Sequence, residues 1–309
     1  MDLLSSEQES VSHYGTSAVQ NVCAKPIIGM IPVESKDKSM SANQLGYSKE
    51  DLANSPYAKY FQPKLAPMQD HVHEAITCGG MAHELFPSAE HASELLHDGY
   101  WPVETGFTRT PDLGIRVFCL TQMPNVTPKM WDWWFGWHGD DAQKYKLWHP
   151  RAHINAEWAD GKTGMQAYLD RTSNITEYLG SEIKNAAISF VHPRELGIDE
   201  QKMQQRGEVI ICAKVGLPGL PLFAGQMAHQ IREVEGGAEM RSRMWFGGTN
   251  ISLGKNPGPI KKSLSFLMRP VAKLMLPDPH ELLVHNAQEM QHLAGFLPEL
   301  YGEFGPQHK

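Results

Sequence analysis

The sequence predicts an α+β fold in which a long C-terminal helix lies across a curved antiparallel sheet. Three observations lead there. The runs GIRVFCLTQ, AAISFVHP and EVIICAKVGL are β-branched or alternate apolar with polar residues, as strands half buried on a sheet do. The segments LPLFAGQMAHQIREVE and AEMRSRMWFGGTNIS flank Gly236-Gly237 like the arms of a long hairpin. Finally, DPHELLVHNAQEMQHLAGFL opens with Asp278 at the N-cap, Pro279 at the first helical position and Glu281 at N3, a capping-box-like helix start.

In chain order, residues 1–45 mix Ser, Gln, Lys and Glu around a short apolar island, KPIIGMIPV, and read as an extension that forms no core alone. Residues 46–98 turn helical. SKEDL resembles a capped start at Ser48, and QDHVHEAITCGGMAHELF and SAEHASELLHDGY carry apolar residues near 3.6-residue spacing, interrupted at Gly79-Gly80. About 50 residues make a marginal domain, so this unit is expected to pack on the rest or on a second subunit. Strand texture begins after GYWPVETGF, which sets the third region at 99–309. Within it, TPKMWDWWFGWH is a helix with Thr127 as N-cap and Pro128 at N1.

Composition narrows the function. The 309 residues, 41% of them hydrophobic, suffice for a sizeable core. With 28 basic against 35 acidic side chains the net charge is −7, and no basic cluster offsets it, which argues against nucleic acid as a partner. There is no apolar run of about 18 residues and no basic-then-apolar leader, so the expectation is a cytoplasmic chain without a membrane partner. Cys23, Cys78, Cys119 and Cys212 are far apart without a CxxC, and read as reduced core residues. The unusual entries are 15 histidines and 8 tryptophans, which supply metal ligands, proton shuttles and apolar pocket walls.

HELLVH in the last long helix mimics the HExxH of zinc proteases with one residue too many. His280 and His285 are separated by about 500° of rotation, about 140° net, and cannot share a metal on one helical face. His285 and Glu289 differ by about 400°, or 40° net, and project side by side on the stripe of Leu282, Asn286, Leu293 and Phe296. A second donor segment is YKLWHPRAHINAEW. His149 precedes Pro150 and suits a turn, whereas His153 and Glu157 have i, i+4 spacing if PRAHINAEW is helical. RTSNITEYLGSEI adds Glu177, which by itself reads as a solvated loop carboxylate; spacing leaves the choice between Glu157 and Glu177 open. His229, Tyr145 and the tryptophans of WDWWFGW are each, in isolation, ordinary surface or core residues, although such indole density also suits a pocket for a flat aromatic ligand.

Taken in order, MPNVTPKMWDWWFGWH, YKLWHPRAH, RTSNITEYLG, the His229 strand and HNAQE resemble the diacetylphloroglucinol hydrolase and phloretin hydrolase family, over roughly Tyr47 to Phe296. The resemblance implies a Bet v 1-like helix-grip catalytic domain, a small N-terminal dimerisation domain at 46–98 and hence a homodimer. It implies a zinc-dependent hydrolase of the carbon–carbon bond between an acyl group and a phloroglucinol ring. The implied zinc ligands are His153, Glu177, His285 and Glu289, with Glu157 and Glu182 as rival carboxylates. Tyr145, Asn155, His229 and Trp245 fall at implied substrate contacts, and His229, Tyr145 and Glu177 at catalytic positions. The competing readings are a helix-grip carrier of aromatic ligands, or a zinc esterase acting on aryl esters.

Overall fold

Strands form where the sequence alternates. The computed structural model describes residues 44–164, 167–254, 258, 264–265, 267–268, 270 and 276–306. All of them belong to one unit that starts at Lys38; the expected extension, apart from residues 44–45, and Cys23 lie outside the described residues. The strands are β1 Gly106–Arg109, β2 Gly114–Pro124, β3 His153–Trp158, β4 Thr172–Leu179, β5 Glu182–Val191, β6 Val209–Gly216, β7 Leu222–Val234, β8 Gly237–Gly247 and β9 Ser252–Leu253. They form one antiparallel sheet in the order β1-β2-β8-β7-β6-β5-β4-β3, with β9 beside β7. The expected hairpin is β7–β8, paired from Val234↔Gly237 to Gly225↔Phe246; Gly236 turns the chain at φ +80°, where a side chain would be strained.

Two helices, α1 (Lys49–Asn54) and α2 (Asp70–Cys78), precede the sheet, and between β2 and the far edge at β3 the chain crosses through α3 (Pro128–Trp137) and α4 (Ala142–Trp148). A short α5 (Glu200–Gln205) precedes β6, and α6 (Pro279–Ala294) and α7 (Leu297–Phe304) close the described chain. The Asp278 carboxylate accepts from the His280 and Glu281 amides and so starts α6 where expected. This helix lies against β2 and buries Leu282, Leu283, Met290 and Leu293 over the inner face of the sheet, giving the helix-grip arrangement. Among the described residues, no helix is long and apolar enough to cross a membrane.

The region 46–98 has no core of its own. Ser48 and Asp51 cap α1 reciprocally, and α2 ends at Gly79 with φ +78°. Val72 and Ala75 of α2 join Phe107 and Leu283, while Ala92, Leu95 and Leu96 from a 3-10 run, Ala89–Leu96, cover the outer face of the sheet around Phe118 and Trp245. Three expectations need correction. PRAHINAEW is not helical: the chain turns at His149–Ala152 and continues as β3. RTSNITEYLG is strand β4 rather than a loop. Cys78 is exposed, so among the described residues only Cys119 and Cys212 are core cysteines.

Candidate metal centre

One irregularity on β3 builds half of the site. Pairing with β4 runs Trp158↔Ser173, Ala156↔Ile175 and Asn155↔Thr176, then shifts so that His153 rather than Ile154 stands opposite Glu177. Such a bulge rotates the residues beyond it by one face. His153 thereby joins Glu177 on the inner face, and Glu157 is left exposed on the other. The other half comes from α6, where the i, i+4 pair His285 and Glu289 faces the sheet.

The four side chains converge. His153 Nε2 lies 3.4 Å from Glu289 Oε2 and 3.6 Å from Glu177 Oε2. His285 Nε2 lies 3.6 Å from Glu177 Oε2 and 3.7 Å from Glu289 Oε2. His153, His285 and Glu289 each offer a ligand atom within 4.8 Å of the others, all buried. The Tyr145 hydroxyl donates to Glu177 Oε2, and its ring stacks on His153 at 3.7 Å and 2°. Asn286 Nδ2 donates to Glu289 Oε1 at 3.3 Å.

Three features fit this group to a metal cation. A carbonyl can only accept, so the 2.9 Å contact between His153 Nδ1 and the Tyr145 carbonyl puts the ring proton on Nδ1 and the lone pair on Nε2. Nε2 is buried and has no hydrogen-bond partner among the described residues. Burial lowers this imidazole to about 4, against the pull of Glu177, so it stays neutral. The N···O separations of 3.4–3.7 Å are also close to the roughly 3.4 Å edge of a tetrahedron with bonds of about 2.1 Å. Burial, with Glu177 adding to it and His285 opposing, pushes the Glu289 carboxyl up to about 8; two carboxylates packed this closely call for a positive charge.

Glu177, His285 and Glu289 form part of the wall of a cavity of about 420 Å³ between α6 and the sheet. Phe135, Ile175, Ile188, Met227 and Phe246 make much of its apolar lining, and His229 on β7 enters from the inner face. His229 Nδ1 is 2.8 Å from Ser242 Oγ, its ring lies over Phe135, and burial lowers it to about 4. Burial holds the Tyr145 hydroxyl well above its usual range, so it remains a phenol.

The family resemblance implies substrate contacts at Asn155 and Trp245, and neither lies on the cavity wall. Trp245 is three residues from the inward Ser242 on the same strand, an odd interval, so it faces outward and donates from Nε1 to the Pro87 carbonyl. Asn155 lies past the bulge, on the face opposite Ala156, and is absent from the cavity wall. Glu182 is exposed and pairs with Lys184. Trp131, Trp133 and Trp134 are core; the cavity takes Phe135 and Trp148 instead. Two histidines were missed as site residues. His149 stacks on His285 at 5.0 Å and 11° with Nε2 3.2 Å from Gln288, and His138 lines the cavity with Nδ1 donating to the Trp134 carbonyl. Their signal was the crowding of imidazoles in WHGDDAQKYKLWHPRAH, which spacing alone does not resolve.

Burial sets an acid limit on stability. His138 and His229 are each lowered to about 4, whereas an unfolded histidine titrates near 6.5. The unfolded chain therefore binds more protons across this window, and the stability present above about pH 6.5 is lost as pH falls toward 4. The urea midpoint is expected to drop between pH 7 and pH 5, and by less in a His138→Gln/His229→Gln variant; equal slopes for the two proteins contradict the assignment.

Sheet, overlying helix and buried histidine–carboxylate cluster define a helix-grip protein with a candidate metal centre. The family model described as DAPG hydrolase PhiG domain matches residues 85–302, and the chain belongs to that family. It is 31% identical over 266 residues to a 2,4-diacetylphloroglucinol hydrolase of Pseudomonas sp, covering 82% of this chain and 90% of that protein. It is 27% identical over 265 residues to a phloretin hydrolase of Eubacterium ramulus, covering 82% and 92% respectively. Among solved structures, ginseng major latex-like protein 151 from Panax ginseng aligns at 12% identity and a TM-score of 0.30, over 59% of this chain and 99% of that one.

Proposed function

We propose that this chain is a zinc-dependent hydrolase that cleaves the carbon–carbon bond between an acyl group and a phloroglucinol-type ring, releasing a carboxylic acid and the deacylated phenol. The observation that carries the reading is the convergence of His153, Glu177, His285 and Glu289, the last three of which line an otherwise largely apolar cavity. The names of the relatives, 2,4-diacetylphloroglucinol hydrolase and phloretin hydrolase, support the substrate class. These four side chains would hold the zinc, two imidazoles and two carboxylates being a donor set that suits it. Zinc bound there supplies Lewis acidity, polarising an acyl carbonyl and lowering the pKa of water towards about 7.

The difficulty of the bond assigns the remaining roles. An aryl carbanion is a poor leaving group, so the ring takes a proton at the acyl-bearing carbon first and one phenol becomes its keto tautomer. The flanking hydroxyls then let the ring depart as a stabilised enolate, as from a β-diketone. His229, held neutral, exchanges hydrogen bonds and protons with a ring hydroxyl. The Tyr145 hydroxyl holds Glu177 Oε2 in place and reaches the ring from the metal side. Glu177 accepts the proton of the attacking water, and the apolar walls keep other water away. The cytoplasmic homodimer belongs to the same proposal, with Leu52 and Leu85 as exposed apolar side chains in the 46–98 region that would face a second copy.

An acylphloroglucinol and its O-acyl isomer, assayed side by side with the zinc-loaded protein, test this. Acid release from the carbon-linked compound is expected. Release from the O-acyl isomer alone makes the protein an esterase, and saturable binding without acid release makes it a carrier.

A further inference from the structure

The cavity wall holds, among the described residues, one unpartnered polar group that the metal centre does not account for. Among the described residues, three side chains on its wall carry a buried polar atom with no hydrogen-bond partner: Trp148 Nε1, Asn286 Oδ1 and Ser173 Oγ. The first two belong to the surroundings of the cluster, since Trp148 stands edge-on to His153 at 5.5 Å and Asn286 is bonded to Glu289. Ser173 stands apart. It is four residues before Glu177 on the same face of β4, about 13 Å away along the strand. It is 3% exposed, and its cross-strand neighbours are Trp158 and Ile188. A hydroxyl sealed among such neighbours gives up its water without a replacement, where alanine would fill the same position with no polar atom to satisfy.

We infer that Ser173 is a specificity-determining residue whose hydroxyl binds the phenolic hydroxyl para to the acyl-bearing carbon. This deepens the deacylase reading and rests on it for the ring's orientation. With the acyl group directed to the cluster at the Glu177 end, the ring position that points away from it is the para carbon, and Ser173 is the unpartnered polar group on the wall at the other end of β4. Ser173 Oγ accepts from the para O–H, leaving the hydroxyls beside the acyl group to Tyr145 and His229. The site thus selects acylphenols hydroxylated at the para position over those bearing only the two ortho hydroxyls.

Binding tests this without chemistry. Phloroglucinol and resorcinol differ by one hydroxyl, and calorimetry on the zinc-loaded protein is expected to show phloroglucinol binding roughly three- to tenfold tighter, the range for one neutral hydrogen bond. In Ser173→Ala that ratio falls to about one through loss of phloroglucinol affinity alone, and Ser173→Thr restores it. In turnover, 2,4,6-trihydroxyacetophenone loses its advantage over 2,6-dihydroxyacetophenone in Ser173→Ala, chiefly through KM. A ratio unchanged in Ser173→Ala, or equal weakening of both ligands with a lower Tm, overturns the subsite and leaves the deacylase reading standing. A wild-type protein that binds neither phenol overturns both.

Discussion

His285→Ala is expected to leave the protein folded, without its metal, and with acid release from diacetylphloroglucinol lowered by more than about a hundredfold, beyond the ~10–100-fold typical of outer partners. The side chain sits on the buried face of α6 at the wall of a cavity, so truncation enlarges an existing space and leaves the contacts of Leu283, Met290 and Leu293 intact. What it removes is one of two nitrogens facing the carboxylate pair. His149→Ala makes the comparison internal: its ring supports His285 by stacking and reaches Gln288, yet it lies outside the group of mutually close ligand atoms, so its loss weakens metal binding within that outer range. Metal content by mass spectrometry and far-ultraviolet circular dichroism separate loss of the centre from loss of the fold. Full zinc occupancy in His285→Ala would sink the assignment.

The two halves of the centre differ in how far the sequence revealed them. His285 and Glu289 were legible because a helix converts spacing into direction without outside help: four residues always bring two side chains to one face. His153 and Glu177 were not, because their meeting depends on a bulge and on a cross-strand register that pairing with β4 fixes. Read as a helix, the same segment offers Glu157 as a rival to Glu177, and the structure leaves Glu157 on the exposed side of β3. The outward position of Trp245 follows from the hairpin register. A hairpin turning at Gly236 pairs His229 with Ser242, and from that register an inward His229 requires inward Ser242, Met244 and Phe246 and an outward Trp245. The outer face was invisible for a different reason. Its cover comes from residues 86–96, whose apolar periodicity announced a buried face without saying against what. The sheet and the gripping helix were legible because alternation and caps are local.

Glu177→Gln carries the heaviest consequence for the carboxylate half: metal loss, or activity lowered by on the order of a hundredfold or more, while Glu157→Gln stays within about twofold of wild type. The substitution keeps the shape and exchanges an anion for a neutral amide. In the native site Oε2 accepts from the Tyr145 hydroxyl and lies 3.6 Å from both imidazole nitrogens, so one oxygen serves the tyrosine and the metal position together. An amide turned to keep the tyrosine bond presents a weaker, uncharged oxygen; turned the other way, it aims N–H donors at a hydroxyl that needs an acceptor. Neither orientation restores the native arrangement. Glu157, by contrast, is exposed on the far side of β3 opposite Asn174, where losing a charge costs little. Glu177 also raises the Glu289 carboxyl by repulsion, so its removal makes Glu289 easier to ionise without a metal. If electrostatic strain were the only fault of the native pair, Glu177→Gln would be more stable and no less active. Metal loss in that variant, measured beside its thermal midpoint, shows that the repulsion is held in place for the cation that both carboxylates face.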